Sequence, residues 1–275
     1  MTAETTRLDT PSRSWGETRL GRLVWRYGPA VTLVALGIGL WELLIRVLDV
    51  PKFLWPAPSL IVATLRDEAG SLAGHSWTTL QEVLLGFLIA LTAGLAIGIA
   101  LHLSAVLRRA LLPILIASQS IPTVVLAPVL VLVMGFNIGP KLAVIALFCF
   151  FPIAVNTIDG LASVDLEYVR MMQTLDGSRW AIFRRIEFPS ALPSIFTGTR
   201  IGATYAAIGA VFGEWAGSGA GLGWLMLQAK GRLDTALVFA AVALITTMAI
   251  ALFLLVALIE RVTIPWARSG GGRMK

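Results

Sequence analysis

The chain has 275 residues, 57% of them hydrophobic and only 14% charged, with a mean hydropathy of +0.82. Soluble domains carry roughly 25% charged residues, so the composition excludes an ordinary soluble domain and points to an all-α, polytopic membrane protein. The net charge of +6 has to be read loop by loop in such a chain, and by itself it makes no case for a nucleic-acid partner.

Residues 1–28 are polar and rich in Thr, Ser and Arg. They read as a cytoplasmic tail without a packed core, with a surface helix near Trp15 to Trp25. No signal peptide is expected, because the first apolar stretch is long and follows five arginines. A bilayer core of about 30 Å needs about 20 apolar residues per helix. By that measure the sequence predicts six spans, at 29–48, 79–102, 109–134, 139–161, 191–214 and 236–259. Together they make a transmembrane domain over 29–265, with a short cytoplasmic tail at 266–275. Between the first two spans, Pro56 and Pro58 followed by Ser59 read as a loop entering a short helix too polar to cross.

The second span carries Gly86, Gly94 and Gly98, read as packing positions. In the third, Pro122 and Pro128 interrupt the hydrogen-bond ladder, and Ser118, Gln119, Ser120 and Thr123 fall at mid-depth. Polar groups there are costly unless buried in protein or facing a wet cavity. Two readings stay open: the hydroxyls bond back to their own helix, or they line a path. Cys149 sits alone in an apolar run, which excludes an internal disulfide and reads as plain packing.

The longest polar interior segment is the loop 163–190, which carries Arg170, Arg179, Arg184 and Arg185. Asp165 is placed to cap a first helix whose stripe is Leu166, Val169, Met172 and Leu175. Asp176-Gly177 ends that helix, and Ser178 is placed to cap a second one carrying Trp180, Phe183 and Ile186 before Pro189. Such a pair makes a compact knob at the membrane surface, suited to docking a soluble partner. The alternative is an ordinary interfacial loop lying on the headgroups.

The fifth span has a stripe of Gly198, Gly202, Ala206, Gly209 and Gly213, which lets helix backbones approach closely, within the chain or at a dimer seam. Glu214 followed by Trp215 reads either as a pathway group or as an interfacial acid beside a belt tryptophan. The glycine-rich run 217–223 lacks a phosphate-binding register and is expected to be a flexible turn.

Orientation follows from Lys and Arg. An inward N-terminus puts fifteen of the 22 in the cytoplasm, the knob among them, and five outside (Lys52, Arg66, Lys141, Lys230 and Arg232). Both termini are then expected inside. Catalytic chemistry is missing: a phosphate-binding P-loop needs Gly-Lys-Ser/Thr, whereas the four lysines follow Pro51, Pro140, Ala229 and Met274. His75 and His102 fall near opposite faces of the membrane, so no two-histidine metal site is expected.

The run Thr174-Leu-Asp-Gly-Ser-Arg-Trp, followed by Phe183-Arg-Arg-Ile-Glu-Phe-Pro-Ser-Ala-Leu-Pro193, resembles the "EAA" coupling loop of ATP-binding-cassette (ABC) importer permeases. Arg170-Met171-Met172 stand where that family often has Glu-Ala-Ala, and Asp176 takes the usual glycine place. About three quarters of the chain resembles the nitrate/sulfonate/taurine-type permeases, through Leu54-Trp-Pro-Ala-Pro-Ser, Gly86-Phe-Leu, Ser120-Ile-Pro, Leu126-Ala-Pro, Phe151-Pro-Ile and Asn156-Thr. That family also holds permeases for thiamine-precursor pyrimidines and riboflavin, to which Gly209-Ala-Val-Phe-Gly-Glu-Trp215 is more similar.

The resemblance implies a six-helix, type I importer (MetI-like) fold in the plasma (inner) membrane of a prokaryote. It implies a homodimer of permeases, two ATPase subunits and an extracytoplasmic solute-binding protein. No cofactor is expected in this chain, with ATP and Mg2+ belonging to the partner ATPase. Coupling to that ATPase would fall to Arg170, Met171, Met172, Leu175, Asp176, Gly177, Ser178 and Arg179. With two copies facing each other, Gln119, Ser120 and Thr123 would line the path, with Asn156, Tyr205 beside it and Glu214 near the outer mouth. The competing class, an ion-coupled secondary transporter, needs ionisable groups at mid-bilayer, and only Arg200 comes near. A third class, a membrane anchor without transport, has no use for a broken polar third span.

Overall fold

The computed structural model describes residues 19–268, with side chains from 28 to 266. Every regular element among the described residues is helical. Four of the six expected spans are single helices long and apolar enough to cross a membrane: α1 (Arg19–Val47, the crossing part being Gly28–Val47), α3 (Ala69–Leu103), α6 (Ile138–Ala162) and α11 (Thr235–Thr263). α1 is helical from Arg19, ten residues ahead of the expected start, and the rest of the expected N-terminal tail lies outside the described residues.

The third span is not one rod. α4 (Ala105–Ser118) and α5 (Thr123–Met134) meet at 99° across a four-residue break. Pro122 causes it: the ring has no amide to donate, and it pushes the residue before it away from the helical region. Pro128, expected to break the same helix, stays inside α5. The fifth span is α9 (Phe188–Gly217), whose thirty residues reach about 45 Å at 1.5 Å per residue. Its small and hydroxyl side chains keep its hydropathy below that of the other four, so among the described residues length and hydropathy alone give four crossings, or five with the bent α4–α5 pair counted as one.

The reason for that composition lies in the core. α6 runs between α3 and α9, and the glycines of both neighbours face it. A Cβ on Gly86 would come within 2.6 Å of Ile145, and one on Gly209 within 2.8 Å of the Ile145 backbone. One turn-pair further along, Gly94 and Gly202 approach Ile153 from the two sides in the same way. Lipid tails are as apolar as Leu, so close packing rather than water exclusion drives such contacts. The stripe of α9 is therefore spent on α6 within the chain, rather than on a seam between copies. Ile145, Cys149 and Ile153 are fully buried there.

A second apolar cluster joins α2 (Pro58–Asp67), α10 (Leu222–Gly231) and α11 through Ile61, Leu222, Leu225 and Ala240. Ser59, expected at the entrance of α2, sits in its first turn, and Glu42 of α1 takes hydrogen bonds from both its amide (2.9 Å) and its hydroxyl (2.7 Å). That carboxylate acts as the cap which Ala57, the residue at the N-cap position, cannot supply. Trp41 of α1 packs on the same cluster with its ring 5.8 Å from that of Phe239, while Leu33 elsewhere on the helix is 73% exposed.

Candidate functional site

The knob between α6 and α9 forms as its capping residues dictate. Asp165 accepts from the Glu167 amide at 2.9 Å and starts α7 (Leu166–Thr174). Two hydrogen bonds end it, Gly177 N–H to Met172 O (2.9 Å) and Asp176 N–H to Gln173 O (3.2 Å). This pairing is a Schellman turn, which puts one residue in the left-handed region. That residue is Asp176, with φ +54°. Asp tolerates the region better than most side chains. Gly177 is needed for closeness instead, since a Cβ there would lie 2.7 Å from the Met172 carbonyl oxygen. Ser178 then caps α8 (Arg179–Ile182), accepting from the Ala181 amide at 3.2 Å.

The second knob helix does not stop before Pro189. It widens into a π turn, Phe183–Glu187, and continues as α9. Pro189 falls in the first turn of α9, where a missing amide costs least. The outer surface of the knob is apolar and uncovered: Leu166, Tyr168, Met171, Leu175 and Trp180 are all exposed, and α7 buries no residue.

The bend between α4 and α5 opens a cavity of ≈ 570 Å³ against α6 and α9. It gathers Gln119 and Thr123 from the two sides of the break with Asn156 of α6 and Tyr205 of α9. Phe148 and Phe151 add aromatic walls, and none of the described lining residues carries a charge. Ser120 lies at the break but outside this lining. Asn156 donates to Pro152 O at 2.8 Å and Ser118 to Leu115 O at 2.7 Å, so back-bonding and cavity lining coexist on the same residues.

Glu214 is far from that lining. It is 1% exposed and accepts from the Thr79 hydroxyl (2.6 Å) and from the amides of Gly223 (2.6 Å) and Trp224 (3.1 Å). Those amides open α10, so the carboxylate caps a helix whose N-terminal dipole favours it. This arrangement fits neither of the roles the sequence left open for it. The loop before α10 is likewise not a flexible turn. Thr79 takes the Leu222 amide (2.8 Å), His75 takes the Gly221 amide (3.1 Å), and the Trp215 indole donates to Gly223 O (2.9 Å). Gly221 has φ +111°, and a Cβ on it would overlap the Glu214 carboxylate. Beside it, Lys141 of α6 pairs with the buried Glu82 of α3 and donates to Ser218 at 3.0 Å.

At the other end of α3, His102 donates through Nε2 to Glu187 Oε2 (2.9 Å), while Arg179 donates to Glu187 Oε1 (2.5 Å). Glu187 is buried. Sequence reasoning named neither acid cluster as a whole. The available signal was an acid inside or directly before a span, at Glu82 and Glu187, where an unpaired charge is too costly to keep. Arg200, the mid-span cation, is paired with Glu260 of α11 at 3.2 Å.

Residues 84–268 match the model of the family described as "Binding-protein-dependent transport system inner membrane component". The chain is a member of that family. Among curated relatives, this permease is 35% identical over 230 residues to the formylaminopyrimidine transport permease protein ThiX of Halalkalibacterium halodurans, covering 83% of this chain and 92% of the relative. It is 35% identical over 253 residues to the riboflavin transport system permease protein RibX of Chloroflexus aurantiacus, covering 91% and 94%. Among solved structures, an inward-facing MetNI methionine ABC transporter chain superposes with a TM-score of 0.61 at 17% identity, over 71% of this chain and 97% of that one. The fold is thus that of MetI-like importer permeases, and the chain is a permease subunit of a binding-protein-dependent importer.

Proposed function

We propose that this permease carries an uncharged, planar, hydrogen-bonding heterocycle through a path walled by the α4–α5 bend, α6 and α9. The carrying observation is the cavity that unites Gln119, Thr123, Asn156 and Tyr205 with Phe148 and Phe151 and offers no charged group. Amide and hydroxyl side chains satisfy ring nitrogens and carbonyls, and aromatic walls favour a flat solute. A nitrate or sulfonate ion in this low-dielectric space would want a cation, and none lines it. The solutes for which the two relatives are named, a formylaminopyrimidine and riboflavin, are of the favoured kind.

The mechanism is alternating access driven by a separate ATPase. The exposed apolar knob is the docking element for that subunit, which holds ATP and Mg2+, with Leu175 and Trp180 as the apolar anchors and Arg170 and Arg179 at the rim. A second copy of the chain covers the apolar outer face of α4 and α5, where Ile114, Val125, Leu132 and Val133 stand exposed, and closes the cavity. The knob and both termini face the cytoplasm. A cysteine at the exposed Ser178 would then be shielded from an impermeant thiol reagent in intact cells, and one at the exposed Leu233 would react. The reverse labelling pattern overturns the orientation.

The deciding experiment reconstitutes the chain with its ATPase and binding protein in liposomes and compares uptake of formylaminopyrimidine and riboflavin with that of taurine and nitrate. Uptake of a heterocycle, reduced at least fivefold by Asn156→Ala, is the expected result. Uptake confined to the anions overturns the substrate reading.

A further inference from the structure

α3 is a single helix of 35 residues, about 50 Å long at 1.5 Å per residue, and it is fastened near both ends. Thr79 and Glu82 tie its outer part to Glu214 and Lys141. His102 ties its inner end to Glu187, across 85 residues of sequence. Glu187 in turn belongs to the knob: it closes the π turn, and its second oxygen holds Arg179 of α8. Below this polar link, Leu95 and Ile99 of α3 pack on the cluster of Phe183, Ala191 and Ile195. The knob therefore meets α3 through one apolar contact and one charged link.

We infer that Glu187 and His102 are the positioning pair that passes displacement of the knob to α3, so that α3 moves with the knob and not only α6 and α9, to which the knob is covalently joined. The inference rests on the reading of the knob as an ATPase-docking element. Arg179 by itself offsets the charge of the buried carboxylate, through Oε1 and from the same short segment. The histidine adds what a local pairing does not, a link to a different membrane helix. A π turn is an uncommon register found at functional sites, and here it sits at the joint between knob and α9. A second, side-chain route from knob to bundle fits that joint.

The test uses the complete importer with Cys149 replaced by alanine and a reporter cysteine at Trp77, an exposed position on the outer part of α3. Its labelling rate with a maleimide is compared in the nucleotide-free complex and after trapping with MgATP and vanadate. The unmodified pair should give at least a threefold change in rate. His102→Ala, which leaves Glu187 paired with Arg179 and so does not orphan a buried charge, should reduce the change below 1.5-fold while vanadate trapping by the ATPase stays within twofold. His102→Gln, whose amide still donates to Glu187, should restore at least half of it. An unaltered change in His102→Ala, or no change with the native pair, overturns the inference. Failure of the native chain to bring down any ATPase instead overturns the docking reading on which it rests.

Discussion

Glu187 and Glu214 bracket α9, and both reach across to α3, yet they are held in opposite ways. At the end proposed above to be the outer one, Glu214 is 1% exposed and is gripped by a hydroxyl and two backbone amides. At the inner end, Glu187 is gripped only by side chains, one of which, Arg179, is 55% exposed. Backbone donors cannot turn away without unfolding the loop that carries them, whereas histidine and arginine side chains swivel at small cost. The Glu214 end of the α3–α6–α9 core is thus held largely by backbone, and the Glu187 end by side chains that can turn away.

The comparison breaks most sharply at Glu214. Glu214→Ala leaves the Thr79 hydroxyl and two buried amides without an acceptor, and the expected loss is on the order of 3–5 kcal/mol. Thermal unfolding in detergent should read it, and stability equal to the native chain would mean that the outer end is not fixed. At the knob, Gly177→Val drives a side chain into the Met172 carbonyl. Overpacking of this kind costs about 1–3 kcal/mol, confined here to a surface turn. The expected result is a tenfold or greater fall in uptake with normal amounts in the membrane, and native-like transport would remove the knob from the coupling path.

Asp176→Gly should stabilise the knob turn by about 1 kcal/mol, since it relieves a left-handed φ of +54°. Slower hydrogen exchange at the Gly177 amide is the measurement, and unchanged exchange would show that aspartate already sits there without strain. The smallest effect belongs to Arg179→Ala. Arg179 is 55% exposed and the buried Glu187 keeps His102 as a donor, so the cost should stay near the exposed-pair value of about 1 kcal/mol rather than that of an orphaned buried charge, and the unfolding midpoint should move little. A large drop would place the inner end in the same class as the outer one.

The knob was legible in the sequence nearly residue by residue, because caps and turns are local. Asp165, Ser178 and the Asp176-Gly177 stop act within five residues of themselves. The glycine stripes were legible as packing surfaces, though not as two faces closing on Ile145 and Ile153 of one helix. Glu214 was visible as an anomaly, but its role depends on Thr79, 135 residues away, and on amides that a loop folds back to deliver. No periodicity reports a folded-back loop. The run 217–223 looked slack because glycines permit many conformations; packing against Glu214 selects one of them.

Composition and local pattern alone determined that this chain is a helical membrane protein, roughly where its long apolar helices fall, and that a capped polar knob interrupts them. These follow from the bilayer's thickness and from hydrogen bonds closed within a turn or two. Tertiary structure decided the rest: the 99° bend that makes a cavity from Gln119, Thr123, Asn156 and Tyr205, the burial of Glu214 as a cap, and the bond from His102 to Glu187. Each gathers residues from different helices, the cavity by its lining and the two carboxylates by hydrogen bonds, and only packing on α6 and across to α3 brings them together.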